Sequence, residues 1–322
     1  MRWGIAATGG IARGFAQGLA ETDDAQTVAV ASRSAERSEH FGAEFDIPHR
    51  HASYEDLAAD ADVDVVYVAT PHSRHEADTL LFLEAGKHVL CEKPFALNEQ
   101  QGRRMVDTAR AHGLFVMEAI WSRFLPAYVM LGELLAESAI GEIESVDADF
   151  GVQFPFDPSH RLFDLALGGG ALLDLGIYPL QLASLVLGPP TEVSAVGTIG
   201  TTGADEHVAA VLAHENGALA TIRAATRVNL ACAARISGTG GVIELPAFMH
   251  CPASITITTP AGVERREAPI VGQGLRYQVG EVHRCLRSGA LESAVIPHSE
   301  TLRLAATMDA IRDQIGVRYP SE

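Results

Sequence analysis

Lysine is almost missing from this 322-residue chain: of 24 basic residues only Lys87 and Lys93 are lysine, and 22 are arginine. Basic residues as a class are also short, 24 against 41 acidic ones, giving a net charge of −17. Such a chain lacks the cationic clusters that phosphate backbones require, so nucleic acid is excluded as a main partner. Cysteine is scarce as well. Cys91, Cys232, Cys251 and Cys285 are far apart and form no CxxC pair, which excludes a disulfide framework and fits a reduced, cytoplasmic chain. No apolar run reads as long enough to span a membrane, and the N-terminus shows no signal-peptide profile. No internal repeat or low-complexity linker occurs. What remains, 47% hydrophobic and 20% charged residues, is the make-up of a globular protein long enough for two domains.

The rarity of lysine draws attention to where Lys93 stands. An apolar run, Lys87-His88-Val89-Leu90, leads into Cys91-Glu92-Lys93-Pro94-Phe95, which places the amine at a strand end. Arginine keeps its proton in a protein, whereas a desolvated lysine can shift its pKa and take part in acid–base chemistry. Strand ends of an α/β sheet are where ligands bind. Lys93 is therefore read as a catalytic candidate.

The first 120 residues alternate short apolar runs with helical patterns. Trp3–Ala7 reads as a buried strand, followed by Thr8-Gly9-Gly10-Ile11-Ala12 and a helix to about Ala20. A strand, a glycine turn and a helix start can hold a pyrophosphate on free N–H groups. The fingerprint is degenerate, because Ala7 stands where its first glycine belongs. Gln26–Ala31 is a second strand. It ends at Ser32-Arg33, where an NAD-binding unit usually carries an acid for the ribose hydroxyl. A helix from about Ser34 sets Arg33 and Arg37 on one side, so a hydroxyl and two guanidinium forks suit a 2′-phosphate. The cofactor expected is NADP(H), with NAD as the alternative. Val65–Ala69 is a third strand, broken by Thr70-Pro71-His72; Ser73 and Glu76 read as a capping box. His72 and His75 read as lining the cofactor site or capping locally, and no metal is expected. His88–Cys91 and Leu114–Met117 complete five strands of a doubly wound sheet.

The pattern changes after Ile120. A helix over Pro126–Ser138 precedes an alternating strand, Ile143–Gly151. Gly168-Gly169-Gly170 then opens a helix from about Ala171, which sets Asp174 and Tyr178 four apart on one face. His207–Glu215 and Ala218–Arg223 read as a hairpin around Asn216-Gly217. Ser237–Gly241 is a turn, and helices near Gly274–Arg287 and His298–Ile315 close the chain. The second domain is thus α+β with a mostly antiparallel sheet. The boundaries expected are 1–120 for dinucleotide binding and 121–322 for substrate binding and oligomerisation, with the C-terminal helix able to pack back on the first domain.

Taken together, Gly4–Ala12, Ala69-Thr70-Pro71 with His75, Ala85–Val89, Glu92-Lys93-Pro94 and Gly168–Tyr178 resemble the glucose–fructose oxidoreductase/inositol dehydrogenase (Gfo/Idh/MocA) family over nearly the full length. Met117–Pro126 and Gly168–Tyr178, with tyrosine at 178 where many members have histidine, resemble its dihydrodiol and D-xylose dehydrogenase branch. The resemblance implies a Rossmann domain plus an open-sheet domain, a sugar or cyclic diol as substrate, and a homodimer or homotetramer. It also implies a cis bond before Pro94. In this reading Tyr178 exchanges the substrate's hydroxyl proton, Lys93 lowers the phenol's pKa, and Asp174 orients Lys93 or substrate. Glu92 and Lys93 add to the cofactor set, Trp121 and Phe154 read as apolar walls for the substrate, and Arg123 and Arg161 as polar substrate contacts or structural residues. Two alternatives are a keto-sugar reductase and an NADP-binding sensor without turnover.

Overall fold

Four-to-six-residue apolar runs bounded by turns can only be covered on both faces, and in this computed structural model, which describes all 322 residues, they form a parallel sheet. The N-terminal stretch runs β1 (Arg2–Ala6), α1 (Gly10–Ala20), β2 (Gln26–Ala31), α2 (Ala35–Glu44), β3 (His49–His51), α3 (Tyr54–Ala59), β4 (Val65–Val68), α4 (His75–Glu84), β5 (His88–Glu92), α5 (Glu99–His112) and β6 (Val116–Ala119). The strand order is β3-β2-β1-β4-β5-β6, doubly wound as expected. Six strands stand where five were read. The extra one, β3, is a three-residue polar edge strand whose His-Arg-His sequence carries no apolar run to announce it.

Helix starts follow the local chemistry. Ser34, Ser53 and Asn98 accept from the backbone N–H groups of Arg37, Asp56 and Gln101, each satisfying a donor that the helix cannot. Gly113 stops α5 in the left-handed conformation at φ 65°. The expected Ser73–Glu76 capping box does not form. A 3-10 turn over His72–Arg74 swallows Ser73, α4 starts without a side-chain cap, and Glu76 pairs with Arg104 instead.

Beyond Phe124 the chain forms a second unit, Leu125–Ile270 with Arg303–Glu322. Its elements are α6 (Pro126–Ala136), β7 (Ile143–Gly151), α7 (Ile177–Leu187), β8 (Pro190–Ile199), β9 (Asp205–His214), β10 (Leu219–Ala225), β11 (Ala234–Gly238), β12 (Gly241–Leu245), β13 (Ser254–Thr259) and β14 (Gly262–Glu267). The eight strands order as β14-β13-β12-β11-β7-β10-β9-β8, antiparallel except for β7 beside β10. Helix α7 covers one face. Strand alternation leaves Val196, Val211 and Leu219 in solvent. The β9–β10 connection has four residues, Glu215–Ala218, not two: Gly217 N–H donates to His214 O at 2.9 Å and Gly217 takes φ 85°.

The run Leu165–Leu187 is, contrary to expectation, long and apolar enough to cross a membrane, but 83% of an apolar 18-residue window in it is buried within the fold. A core helix covered on all sides needs the same composition.

The chain then returns to the first unit. Met1–Phe124 is joined by Val271–Leu302, which supplies α8 (Arg276–Arg287) and the start of α9 (His298–Ile315). Trp3 Nε1 donates to His283 Nε2 on α8 at 3.0 Å. Burial lowers the His283 pKa to about 4, which keeps that acceptor unprotonated. Phe15 stacks on Tyr67 at 3.6 Å and meets Trp3 edge-on at 5.4 Å, so an aromatic column ties α1 to the sheet.

Candidate active site

In the first unit the strand order reverses between β1 and β4. At such a switch point the carboxyl ends of parallel strands leave a crevice for ligand. The sequence candidates stand at those ends: Thr8–Ala12 after β1, Ser32 and Arg33 after β2, Thr70–His72 after β4, Glu92 and Lys93 at β5, and Trp121 after β6.

The turn after β1 is open. A Cβ added to Gly9 or Gly10 would meet nothing within 4 Å, and Gly9 caps α1 without a side chain. The first N–H groups of α1 therefore face free space, as a diphosphate requires. Ala7 takes φ 94°, a left-handed value that glycine adopts freely and alanine does not. It occupies the fingerprint position where glycine was expected. At the end of β2, Ser32 is buried and its Oγ accepts from Ser34 N–H at 3.3 Å. Arg33 and Arg37 are both exposed, and neither guanidinium is in an ion pair. After β4 the buried hydroxyl of Thr70 has no hydrogen-bond partner. A dinucleotide fits these groups: free N–H donors, two uncommitted cations and an unsatisfied hydroxyl.

The Glu92-Lys93-Pro94 turn is clamped through its backbone. The Lys93–Pro94 bond is cis. Tyr67 OH donates to Glu92 Oε1, and Glu92 Oε2 accepts from Lys93 N–H at 3.2 Å. His75, read as lining the cofactor, is fully buried, with Nδ1 2.8 Å from Pro94 O and Nε2 2.9 Å from Thr70 O. It ties the β4 and β5 ends together rather than offering a ring to a ligand, and burial lowers its pKa. His72 lies edge-on to it at 5.6 Å. Glu118 on β6, which sequence reasoning passed over, accepts from Phe95 N–H at 2.9 Å. Its second oxygen is buried without a partner. Burial pushes its pKa up to about 7, against hydrogen bonds from Thr301 and Phe95 that lower it. Arg123, expected to touch substrate, forms a buried ion pair with Glu300 at 2.9 Å. Trp121 and Lys93 are half-exposed. The other lysine, Lys87, is buried and donates to the carbonyls of Asp60 and Val63.

In the second unit the glycine cluster is required by close approach. Gly168 takes φ 78° and Gly170 φ 144°, and a Cβ on Gly169 would sit 2.7 Å from Arg161 O. These glycines make room for the chain's own Arg161 and Asp205. Asp205, also unforeseen, accepts from Leu172 N–H at 2.7 Å, and burial raises its pKa to about 6. The expected α-helical face of Asp174 and Tyr178 is altered. Leu172–Gly176 winds as a π-helical turn, closing bonds over five residues rather than four. Pro179 has no N–H to offer Leu175, so the α-helical pattern cannot close there.

Asp174 is buried and held by a guanidinium fork: Arg161 Nη1 donates to Oδ1 at 3.0 Å and Nη2 to Oδ2 at 3.3 Å. Arg161, expected at the substrate, orients this carboxylate. Tyr178 is buried between rings, 5.4 Å from Phe150 and 4.7 Å from His250. His250, on the β12–β13 connection, had no flanking motif to mark it. Phe154 stacks on His160 at 6.3 Å.

Residues 1–120 match the model of the oxidoreductase family with an NAD-binding Rossmann fold, and residues 128–244 that of the Gfo/Idh/MocA C-terminal domain. The chain is 39% identical to the trans-1,2-dihydrobenzene-1,2-diol dehydrogenase of Mus musculus over 338 residues, covering 100% of this chain and 99% of that one. It is 38% identical to the Homo sapiens protein of the same name over 336 residues, with the same coverage. Among solved structures, it is similar to an aldose-aldose oxidoreductase from Caulobacter crescentus complexed with glycerol (TM-score 0.90, 27% identity, 98% and 97% covered). It is also similar to a 3-ketoreductase from Actinomadura kijaniata in complex with TDP-benzene and NADP (TM-score 0.89, 28% identity, 98% of each covered). With family models matching both parts of the chain and full-length relatives at 38–39% identity, the chain belongs to the Gfo/Idh/MocA oxidoreductase family.

Proposed function

We propose that this protein is an NADP(H)-dependent dehydrogenase of a cyclic vicinal diol or an aldose. The full-length likeness to dihydrodiol dehydrogenases carries the reading. The cofactor, when bound, accepts or returns the hydride; everything else falls to side chains of this chain. The open N-terminus of α1 at Gly9–Ala12 binds the diphosphate. Ser32, Arg33 and Arg37 hold the ribose 2′-phosphate, a role supported by their exposure and by the missing acid at the end of β2. Thr70, Pro71 and His72 line the nicotinamide end, with Glu92 fixing the turn that carries Lys93.

Tyr178 takes the substrate's hydroxyl proton as the carbon is oxidised. A free phenol holds its proton to about pH 10, and the Lys93 ammonium is the cation that makes the phenolate accessible near neutrality. Asp174, oriented by Arg161, accepts from the amine or a substrate hydroxyl. Trp121 and Phe154 supply apolar walls. The exposed apolar positions of the large sheet, Val196, Val211 and Leu219, support assembly into a homodimer or homotetramer.

A second reading, reduction of a keto-sugar by the same residues in reverse, is favoured by the NADP-bound 3-ketoreductase. One experiment separates the two. Cofactor absorbance is followed with NADP⁺ against trans-dihydrodiols, D-xylose, D-glucose and inositol, and with NADPH against 3-keto sugars. Turnover of a diol or aldose is the expected result. Turnover of keto-sugars alone selects the second reading, and silence in both directions with cofactor bound rejects both.

A further inference from the structure

At the free edge of the six-stranded sheet, His49 and His51 are two residues apart on β3 and so share a face. Asp60, which ends α3, places one carboxylate oxygen between them. Its Oδ2 is 2.7 Å from His49 Nδ1 and 2.9 Å from His51 Nε2, and all three ligand atoms lie within 4.8 Å of one another. The Asp60 side chain is 7% exposed, while the rings are 37% and 23% exposed. The cluster is thus anchored on its inner side and open to water on its outer side. Asp60 Oδ1 accepts from Asp62 N–H at 2.9 Å, which fixes the carboxylate plane. None of these residues has a part in the redox chemistry described above.

We propose that His49, His51 and Asp60 form a binding site for a divalent transition-metal ion, with Zn²⁺ as the expected occupant. Two imidazoles and one carboxylate are a borderline donor set, suited to Zn²⁺ and unsuited to Ca²⁺ or Mg²⁺, which require oxygen ligands. Around a tetrahedral Zn²⁺ with bonds of about 2.0–2.1 Å, ligand atoms sit roughly 3.3 Å apart. The present 2.7 and 2.9 Å contacts need to open by only about half an ångström, which exposed rings on an edge strand allow. On binding, His49 Nδ1 and His51 Nε2 present lone pairs, and their protons move to the other ring nitrogens. Asp62 Oδ2 stands 4.0 Å from His49 Nε2, a nearby negative charge that favours the proton on that nitrogen. Water takes the fourth position. The ion would clip β3 to the end of α3. His51 O accepts from Ser32 N–H at 3.2 Å, so the same clip steadies the strand beside Ser32 and Arg33.

The test uses the full chain stripped with a chelator and titrated calorimetrically with ZnCl₂, and with Co²⁺ as an optical probe. One Zn²⁺ per chain is expected, together with visible Co²⁺ bands of a four-coordinate site and a raised melting temperature. His49→Gln, at the more exposed ring, and His51→Gln each weaken binding by at least about tenfold and remove the bands. Melting without metal checks that the variants keep the fold. No saturable Zn²⁺ binding would leave the cluster as a hydrogen-bonded brace and overturn the proposal. Affinity unchanged from the parent chain in both variants would also overturn it, by placing the ion elsewhere among the 13 histidines and four cysteines.

Discussion

The turn that carries Lys93 and the helix that carries Tyr178, the two side chains proposed to react, are fixed in opposite ways. The lysine's turn is held by polar groups acting on backbone: Glu92 on Lys93 N–H, His75 on Pro94 O, Glu118 on Phe95 N–H. The tyrosine sits on a helix broken by a π turn and is hemmed by the rings of Phe150 and His250. The first arrangement depends on charge and protonation. The second depends on shape and volume. Changes in pH should therefore strain the first region through Glu118, and changes in side-chain size should strain the second.

The largest effect expected is on turnover. Tyr178→Phe and Lys93→Met should each lower kcat by roughly 10²-fold or more while NADP(H) binding, followed by cofactor fluorescence, stays intact. Near-full activity in Tyr178→Phe would remove the phenol from its role. Next, Arg33→Ala should raise the KM for NADP⁺ by about tenfold or more and leave that for NAD⁺ unchanged, as for loss of a charge-assisted bond of about 1.5–3 kcal/mol. An equal effect on both cofactors would reject the 2′-phosphate site.

The pH arm of the comparison rests on Glu118. Its folded pKa of about 7 lies above the ordinary value of 4.5, so the native state binds the proton more tightly than the unfolded chain. The stability it contributes is fully present below about pH 4.5 and is lost as pH rises toward 7, a change on the order of 3 kcal/mol. Glu118→Gln should flatten the melting temperature across that window, and an unchanged slope would contradict the assignment. The smallest effect is at Ala7. Ala7→Gly should raise stability, by about 1 kcal/mol, since it relieves a φ of 94°. A loss of stability would show that the turn needs alanine's restriction more than glycine's freedom.

What the sequence disclosed follows the same physical divide. Periodicity and turn chemistry placed β2, β7 and α9 to the residue and most other elements within two or three, because burial writes itself locally into apolar spacing. The strand β3 was unreadable, since three polar residues at an edge have no period. The π turn was unreadable because nothing in the apolar spacing of Leu172–Gly176 separates it from an α-helix. At the site, Lys93, Asp174 and Tyr178 stood out as odd residue types beside glycine or proline. The partners that hold them did not: Glu118 and His250 are single residues brought in from distant segments, and Arg161 acts on Asp174 from 13 residues away.

The return of Val271–Leu302 to the N-terminal unit bears on how such proteins can be recombined. Three junctions, after Phe124, Ile270 and Leu302, separate the two units, and the last falls inside α9. A chain cut after Phe124 would lose α8, stripping Trp3 of the His283 acceptor it reaches from β1. Replacing the second unit with that of a relative therefore calls for exchanging 125–270 as an insert, with the tail from Arg303 onward carried along as a second piece.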